Sequence, residues 1–396
     1  MAAGAANDGS MAIRLLFTST PMVGHFYPML PLIRAAESQG HEVAVATGPD
    51  LVTEVERLGI SAWPVGPTMA EAFAAWHQGR DAPAENHLEA LKRDAIAIFI
   101  APGIARAKEL LPLAEEWRPE IVVHEFGEGA GLEVGEAVGA LSVTHTYGPT
   151  LAYETEILYL ACQMMAAELG SLNRWTAATN APLVDIWPPS LQVAGASPHP
   201  HRLPIRPDQP STAGDDPPGL SQLPFERSIY ATFGTVFASP ELFSTLLTAV
   251  RDLPANVIMT TGSGIDPAAL GPVPDHVVVL TFVPQQLIMA RSAAVVSHAG
   301  SGTVLGAISA RLPQVCIPVG ADQHINAAQV AAVGAGIAVP PDQRTPERIR
   351  AALDRVLAEP SYAAAAGRLH DEIKAMPAPT EVLGQLIAMA DDQRGG

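Results

Sequence analysis

The fold is decided by residues 293–303, which read AAVVSHAGSGT. The apolar run at 293–297 predicts a buried strand, and the glycines of the turn that follows let the backbone approach a ligand closely. The helical pattern beyond Thr303 places the free amides of a helix N-terminus at this turn, where they would bind an anion such as a diphosphate. The segment therefore predicts a strand–turn–helix unit with a phosphate site in its turn.

Two other interpretations of this turn stay open on the pattern alone. Gly300, Gly302 and Gly306 form a loose dinucleotide-binding fingerprint, and Asp322 lies about where a ribose-binding acid is expected, as in a dehydrogenase. The turn could instead be purely structural, with His298 packed in a core. Two observations argue against a dehydrogenase. The segment does not lie at the start of either half of the chain, and His298 would place a cation beside the phosphates, which the fingerprint does not require.

Strand-like and helical segments alternate on both sides of this unit. The alternation predicts parallel βαβ units, and hence an α/β fold of doubly wound sheets. Eight prolines between positions 198 and 224 predict a linker or long surface loop that divides the chain in two. The predicted strands lie at 13–17, 41–47, 121–123 and 141–144 in the first half, and at 228–233, 255–259, 277–281, 293–297 and 314–319 in the second.

We therefore expect two Rossmann-like domains that face each other across a cleft. The expected divisions are a disordered leader at 1–10, a first domain at 11–205, a linker at 206–226, a second domain at 227–376 and a C-terminal helix at 377–396. The last helix lies outside the second alternation, so we expect it to cross back to the first domain. The leader has neither a basic start nor an apolar run, so it does not predict a secretory signal.

Charge and cysteine content exclude several classes of protein. Acidic residues outnumber basic ones by 41 to 23, which argues against a nucleic-acid or anionic-membrane partner. The two cysteines, Cys162 and Cys316, are too few for a disulfide framework or a thiolate metal cluster, and they fit a reducing compartment. No apolar stretch approaches the roughly 18 residues of a membrane-spanning helix. We expect a cytoplasmic protein.

A histidine and a carboxylate follow two strands of the first domain. His25 lies in the loop after the first strand, where it can act as a general base near neutral pH. Glu125 follows the strand at 121–123, and from that neighbouring strand end it could fix the tautomer of His25 and stabilise its imidazolium. His124 alternates to the other side of the same strand, so we expect it to be packed rather than catalytic.

Asp322 and Gln323 lie at the end of a predicted strand of the second domain, where ligands bind in doubly wound folds. A carboxylate beside an amide can accept and donate several hydrogen bonds to a polyol such as a sugar. Asp322 is equally well placed to cap the helix that follows. His199 and His201 lie in the proline-rich segment without further ligands, so we expect no metal site there.

Four motifs, in this order along the chain, resemble those of the inverting nucleotide-sugar glycosyltransferases of family one, which have the two-Rossmann GT-B fold. In particular they resemble bacterial enzymes that glycosylate natural products, such as those of the calicheamicin pathway. The resemblance spans about residues 11–390. The motifs are Gly24-His25-Phe26-Tyr27-Pro28, Phe282-Val283-Pro284-Gln285, His298-Ala299-Gly300-Ser301-Gly302-Thr303, and Asp322-Gln323 followed by Asn326-Ala327.

The resemblance implies a role for each predicted site residue. In an acceptor-binding first domain, His25 would deprotonate the acceptor hydroxyl and Glu125 would orient His25. In a nucleotide-sugar-binding second domain, Phe282 would stack on the nucleobase, where many relatives have tryptophan, and backbone groups of Val283 would read its edge. The diphosphate would be held by Thr235, His298, Gly300, Ser301, Gly302 and Thr303. The donor sugar would be held by Asp322 and Gln323. The acceptor would contact Phe73, Trp76, Tyr147 and Tyr153, for which packing in the core is an equal alternative.

The implied reaction is the inverting, metal-independent transfer of a (deoxy)sugar to a hydroxyl of a hydrophobic natural product. Relatives that use UDP-sugars tend to carry a carboxylate for the ribose hydroxyls at the position of Gly306, so its absence favours a dTDP-sugar donor. No cofactor is implied, and the chain would act as a monomer or homodimer. The alternatives are an epimerase or hydrolase of nucleotide sugars with the same fold, a catalytically silent partner of another transferase and, ranked last, a dehydrogenase.

Overall fold

The structure, a computed structural model, describes residues 12–79, 87–150, 154–193, 199–208, 220, 223–234, 238–262 and 264–395. Within these residues the chain forms two parallel β-sheets, one in each half. The predicted leader at 1–10 lies outside the described residues, as does most of the predicted linker at 206–226.

The first sheet has seven strands in the order β3-β2-β1-β4-β5-β6-β7, and every neighbouring pair is parallel. Its strands are β1 (Arg14–Ser19), β2 (Glu42–Thr47), β3 (Ser61–Pro64), β4 (Ile121–Glu125), β5 (Leu141–His145), β6 (Leu183–Asp185) and β7 (Arg202–Pro204).

The helices of the first half follow these strands and alternate with them. They are α1 (Val23–Phe26), α2 (Leu30–Ser38), α3 (Pro49–Arg57), α4 (Met69–Gly79), α5 (His87–Ala95), α6 (Ala101–Trp117), α7 (Ala130–Val138), α8 (Glu154–Leu169) and α9 (Trp175–Asn180), with a π-helical turn at Ile96–Ile100 between α5 and α6.

The second sheet has six parallel strands in the order β10-β9-β8-β11-β12-β13. Its strands are β8 (Ser228–Thr232), β9 (Asn256–Thr260), β10 (Val277–Leu280), β11 (Ser292–Ser297), β12 (Gln314–Cys316) and β13 (Gly336–Ala338). The helices are α10 (Pro240–Val250), α11 (Gln285–Met289), α12 (Ser301–Ser309), α13 (Gln323–Ala332), α14 (Pro346–Ala358), α15 (Pro360–Ala375) and α16 (Pro379–Gly395).

Both sheets are covered by helices on each face, as the alternation of β1 illustrates. Leu15 and Phe17 belong to the apolar cluster that contains α2 and α3, whereas Leu16 belongs to the cluster on the opposite face with α6 and α7. Successive side chains of a strand point to opposite faces, so a strand that is apolar throughout is buried on both sides. The prediction of two doubly wound, Rossmann-like domains is therefore confirmed.

The strand order of each sheet reverses once, and this reversal positions the site. In the first sheet it falls between β1 and β4, and in the second between β8 and β11. The connections that leave two such strands run to opposite faces of the sheet, which opens a crevice at their carboxyl ends. His25 follows β1 and Glu125 ends β4, while Gly234 follows β8 and His298 follows β11.

The nine predicted strands are all present, but four further strands were missed. The missed strands, β3, β6, β7 and β13, have only three or four residues each, which is too short for an alternation pattern to be visible. Three of them, β3, β7 and β13, are edge strands that pair with one neighbour, and β6 lies next to the edge between β5 and β7.

The two halves share packing as well as a cleft. Val304 and Val330, from α12 and α13, belong to the same contiguous apolar cluster as Trp187 and Leu191 of the first half. The last helix, α16, contacts α2, β4 and β5, and it buries Leu383 and Leu386 there. The end of the chain therefore returns to the first sheet. Among the described residues, no helix is both long and apolar enough to span a membrane.

Candidate active site

His25 and Glu125 meet at the crevice of the first sheet. His25 lies on α1, directly beyond β1, and its Nδ1 is 3.1 Å from Oε1 of Glu125. The Glu125 side chain is fully buried, whereas 13% of the His25 side chain is exposed. The ring is turned so that this contact is an ion-pair contact rather than a well-aligned hydrogen bond. The structure thus brings together the two residues predicted to act as base and orienting carboxylate.

Glu125 is held as an anion by its surroundings. Its Oε1 accepts a hydrogen bond from the amide of Thr20 at 3.1 Å, and its Oε2 accepts one from the amide of Gly127 at 2.5 Å. Burial alone would raise the pKa of Glu125, but the positive charge of His25 and these donors lower it to about 2. A fixed negative charge therefore lies beside the imidazole, where it stabilises the protonated ring.

The ring of His25 lies between two aromatic side chains. The ring centroid of Tyr147 is 4.1 Å away and that of Phe99 is 5.7 Å away. Phe99 also covers the Glu125 loop, because a Cβ at Gly127 would lie 3.1 Å from the Phe99 ring. Tyr147 was predicted as an acceptor residue, but Phe99 was not singled out. It lies in an apolar run that reads as an ordinary helix, and the π-helical turn that aims its ring has no clear sequence signal.

A second buried carboxylate supports the loop that contains Glu125. Glu128 accepts a hydrogen bond from the Thr18 hydroxyl at 2.6 Å and from the amides of Ala130 and Gly131 at 3.0 Å. Nη1 of Arg106 lies 3.7 Å from Oε1 of Glu128, the oxygen that also accepts from Ala130, and both side chains are almost fully buried. These residues were also missed, because nothing local in the sequence shows that a charge on α6 and a charge on the loop after β4 are buried together. They fix the backbone between β4 and α7.

His124 is packed, as the alternation of its strand predicted. Its Nε2 lies 3.2 Å from the hydroxyl of Thr144, and its side chain is buried. Burial lowers the pKa of His124, so the ring is neutral at physiological pH. It contributes to the core of the sheet.

In the second domain, His298 begins the turn between β11 and α12. A Cβ at Gly234 would lie 2.9 Å from Nε2 of His298, and one at Gly300 would lie closer still, so both glycines are required for the ring to fit. Burial lowers the pKa of His298 to about 4, although the charge of Asp322 acts in the opposite direction. The His298 ring is therefore neutral in this structure, and the suggestion of a cation beside bound phosphates stays a prediction. The positive pole of the site comes from the first amides of α12.

A buried asparagine joins this turn to the start of α13. Nδ2 of Asn326 lies 2.9 Å from the carbonyl oxygen of Ala299, which has a left-handed φ of 64°, and 2.8 Å from Oδ2 of Asp322. The Ser301 hydroxyl donates to the same Oδ2 at 2.9 Å. Asp322 occupies the N-cap position of α13, but its side chain makes no capping hydrogen bond. The capping interpretation of Asp322 is therefore wrong, and its carboxylate faces the turn at 299–301.

Gln323 supports the loop before it. Its Oε1 accepts hydrogen bonds from the amides of Val319 and Gly320, at 2.9 and 3.0 Å, and the side chain is buried. Oε1 of Gln323 therefore already accepts two hydrogen bonds from the loop, and Nε2 is the atom of this side chain that could bind a ligand.

The loop between β10 and α11 places an exposed aromatic ring beside this turn. Phe282 is 73% exposed, whereas its neighbour Val283 is buried. Gln285 lies on α11, and its Nε2 donates to the carbonyl oxygen of Gly302 at 3.2 Å. A Cβ at Gly306 would lie 3.1 Å from the same Nε2, so Gln285 occupies the space beside Gly306.

Three of the predicted ligand residues lie wholly or partly outside the residues that the structure describes. Thr235 and Tyr153 are outside the described residues, and the side chain of Trp76 is too. Phe73 is half-buried on α4, which packs against the π-helical turn that contains Phe99. No group of three or more histidine, cysteine or acidic side chains is arranged for a metal ion among the residues that the structure describes.

The two halves of the site meet through consecutive residues of the loop after β5. Tyr147 contacts the ring of His25, and the next residue, Gly148, lies against the second domain. A Cβ at Gly148 would be 2.5 Å from Oγ of Ser301 and 3.2 Å from Oδ2 of Asp322. The His25–Glu125 pair and the turn at 298–303 therefore border one cleft.

Comparison with known proteins identifies relatives along nearly the whole chain. Residues 34–199 match the family model described as erythromycin biosynthesis protein CIII-like, N-terminal domain, and residues 244–389 match the corresponding C-terminal domain. The elloramycin glycosyltransferase ElmGT of Streptomyces olivaceus is 31% identical, and the alignment covers 94% of this chain and 97% of that protein.

Solved structures of glycosyltransferases also match nearly the whole chain. The glycosyltransferase VinC, crystallised in complex with dTDP, is 25% identical with a TM-score of 0.78, over 96% of this chain and 100% of that one. The calicheamicin glycosyltransferase CalG4 is 21% identical with a TM-score of 0.79, over 96% of this chain and 98% of that one, and it shows the shared fold.

The electrostatics of Glu125 predict how stability depends on pH. A carboxyl group whose pKa is about 2 in the folded state and near 4.5 in the unfolded chain stabilises the fold above pH 4.5, and this contribution is lost as the pH falls towards 2. We expect Glu125→Gln to lower the free energy of unfolding by about 2–3 kcal/mol at neutral pH, and by progressively less below pH 4.5. Urea denaturation at a series of pH values measures this.

The control for this prediction is Glu381→Gln, which removes an exposed carboxylate from α16. A difference between the parent and Glu125→Gln that stays constant from neutral pH to pH 3.5 would contradict the account of Glu125 as a stabilised anion.

Proposed function

Because the chain belongs to the erythromycin CIII-like family of GT-B glycosyltransferases, which use nucleotide sugars, we propose that it transfers a (deoxy)sugar from a dTDP-sugar to a hydroxyl of a hydrophobic natural product. We further propose that the transfer inverts the anomeric centre and requires no metal. The observation that carries the proposal is the shared cleft, in which a histidine–carboxylate pair faces a glycine-rich helix N-terminus.

His25 is the proposed general base. Its Nδ1 faces Glu125, so Nε2 is the nitrogen left to take the proton from the acceptor hydroxyl. The oxygen then attacks the anomeric carbon as the bond from that carbon to the diphosphate breaks, and the diphosphate leaves with the bonding electron pair. The anionic Glu125 stabilises the imidazolium that forms, and Phe99 and Tyr147 hold the plane of the ring.

The leaving group is stabilised by backbone dipoles in this proposal. Negative charge grows on the diphosphate as the sugar departs, and the amides at the start of α12 would bind that charge. The neutral His298 ring adds a hydrogen-bonding group beside them. Donors that are fixed in place before the reaction lower the barrier most, because they need no reorganisation as the charge develops. Such a site can act in place of a metal ion.

The same arrangement supports inversion. The base belongs to the first domain and the diphosphate site to the second, so the acceptor oxygen attacks the anomeric carbon from the side opposite to the departing diphosphate oxygen. A single displacement of this kind converts an α-linked donor into a β-glycoside.

The nucleoside pocket supports a thymidine donor. The exposed ring of Phe282 provides a surface on which a base can stack. Gly306 offers no carboxylate to ribose hydroxyls, and the space beside it is taken by the amide of Gln285 and by Met289. A nucleotide without the 2′-hydroxyl loses nothing at such a site. The structural relative VinC was crystallised with dTDP.

The surroundings of His25 support a hydrophobic acceptor. Phe99 and Tyr147 are half-buried, and the apolar cluster that includes Phe99 continues through Met164 and Leu160 of α8. An acceptor hydroxyl that reaches His25 therefore brings its carbon framework against aromatic and apolar side chains. The relative ElmGT is named for glycosylation of elloramycin.

A transfer assay with His25→Ala tests the mechanism. With α-linked dTDP-sugars, polycyclic aglycones and a chelator present, we expect the parent to form β-glycosides. We expect His25→Ala to turn over about 10²–10⁴-fold more slowly, the range for loss of a general base. Affinity for dTDP, measured by calorimetry, should stay within about threefold of the parent. The control is His201→Ala, which removes an exposed histidine between β6 and β7.

Three outcomes of this assay would contradict the proposal. They are full activity of His25→Ala, an absolute dependence on added metal, and formation of an α-glycoside from an α-linked donor. Consumption of donor at the same rate without any acceptor would instead favour the nucleotide-sugar hydrolase or epimerase.

Thermal-shift measurements test the donor nucleotide separately. Stabilisation by a ligand grows with its concentration relative to Kd, so the tighter nucleotide gives the larger rise in Tm at equal concentration. We expect dTDP to raise the Tm more than UDP, and ADP to serve as the control for the diphosphate alone. An equal or larger shift with UDP would overturn the argument from Gly306.

A further inference from the structure

The loop after β5 is anchored before it reaches the cleft. The hydroxyl of Thr146 donates to Oδ1 of the buried Asp185 at 3.2 Å, and it accepts a hydrogen bond from the amide of Ile186 at 3.1 Å. Nδ1 of His145 lies 2.8 Å from the carbonyl oxygen of Thr146. Asp185 is itself held by Nε of Arg202 at 2.7 Å. The backbone at 145–146 is therefore fixed to the first sheet.

The two residues that follow contact the two halves of the site. Tyr147 packs on the ring of His25, with centroids 4.1 Å apart. Gly148 is buried against the second domain, where a Cβ would lie 2.5 Å from Oγ of Ser301 and 3.5 Å from its Cβ. The loop therefore acts as a spacer between the base and the start of α12.

Space rather than backbone conformation requires glycine at position 148. Its φ is not in the left-handed region, so an alanine there would not strain the backbone. The obstacle is the hydroxyl of Ser301, which cannot rotate away freely because it donates to Asp322 at 2.9 Å and lies 3.1 Å from Nδ2 of Asn326. A methyl group at 148 must either break this group of hydrogen bonds or move the domains apart.

We propose that Gly148 is a positioning residue that sets the distance between His25 and the anomeric carbon of the bound donor. This inference rests on the proposed function. The first domain closes on the second until the backbone of Gly148 meets Ser301, and in that position His25, held against Tyr147, faces the donor. Gly148 touches neither substrate in this proposal, and it acts through the approach of the two domains.

The test is a double-mutant cycle on Gly148 and Ser301. We expect Gly148→Ala to lower kcat for transfer about 10- to 100-fold, because a displacement near 1 Å misaligns the base and the reacting carbon. The affinity for dTDP should fall by a smaller factor than kcat does, because the methyl group disturbs only the Ser301 end of a site that lies within the second domain. Ser301→Ala removes the nearer obstructing oxygen and leaves a Cβ at an ordinary contact distance of 3.5 Å. It also removes the hydroxyl that donates to Oδ2 of Asp322, the second oxygen near this position at 3.2 Å, so that carboxylate can shift away. The double variant should therefore recover to the kcat of Ser301→Ala alone.

Gly384→Ala is the matched control. Gly384 lies on an exposed side of α16, and a Cβ there meets no atom within 4 Å. This variant makes the same chemical change, and we expect its kcat to equal that of the parent.

Hydrogen exchange provides a readout that does not depend on activity. In Gly148→Ala, the amides of peptides that span residues 299–305 should exchange faster than in the parent, and they should return to the Ser301→Ala rate in the double variant. If the parent shows no transfer, the proposed function fails while exchange still tests the contact. If the parent transfers sugar, kinetics and exchange test the positioning role together.

Two sets of results would overturn the inference. One is a kcat and exchange rate of Gly148→Ala equal to those of the parent. The other is a double variant whose loss equals the product of the two single losses, because the clash would then not involve Ser301. Should Gly148→Ala fail to fold, the double variant decides: folding with the kcat of Ser301→Ala supports the inference, and failure of both to fold contradicts it.

Discussion

Two parallel sheets, each with one reversal of strand order, determine where every part of the site lies. A reversal leaves a crevice at the carboxyl ends of two adjacent strands, because the connections leave the sheet on opposite faces. In the first sheet that crevice receives His25 and Glu125, and in the second it receives Gly234 and His298. The shared apolar packing around Trp187 and Val330 then brings the crevices face to face.

The two crevices handle charge in opposite ways. The first contains a fully buried carboxylate, which stays ionised because backbone amides and His25 offset the cost of burial. The second contains a buried imidazole that is neutral, so its attraction for an anion depends on helix amides rather than on a fixed cation. This asymmetry suits a reaction that creates an imidazolium on one side and a diphosphate on the other. It follows from burial and hydrogen bonding alone.

Much of this architecture could be predicted from the sequence, and the exceptions have physical causes. The long strands, the His25–Glu125 pair and the turn at 298–303 were predictable because each follows a local pattern. Phe99, Arg106 and Glu128 were not, since their roles depend on a π-helical turn and on charges buried together from distant segments. The role of Asp322 was ambiguous in the sequence, because it too depends on contacts with residues from another segment. Its position suits a helix cap, and only the contacts with Ser301 and Asn326 show that its carboxylate faces the turn at 299–301.

The proposed reaction depends on the position of the acceptor hydroxyl relative to His25, and a crystal structure of the complex with dTDP and an aglycone measures that position. We expect that hydroxyl within about 3.2 Å of Nε2 of His25, with the diphosphate oxygens against the amides of Ser301 and Gly302, since the amide of Thr303 already donates to Gly300. An acceptor hydroxyl far from His25, or a diphosphate bound away from that turn, would contradict the proposed reaction.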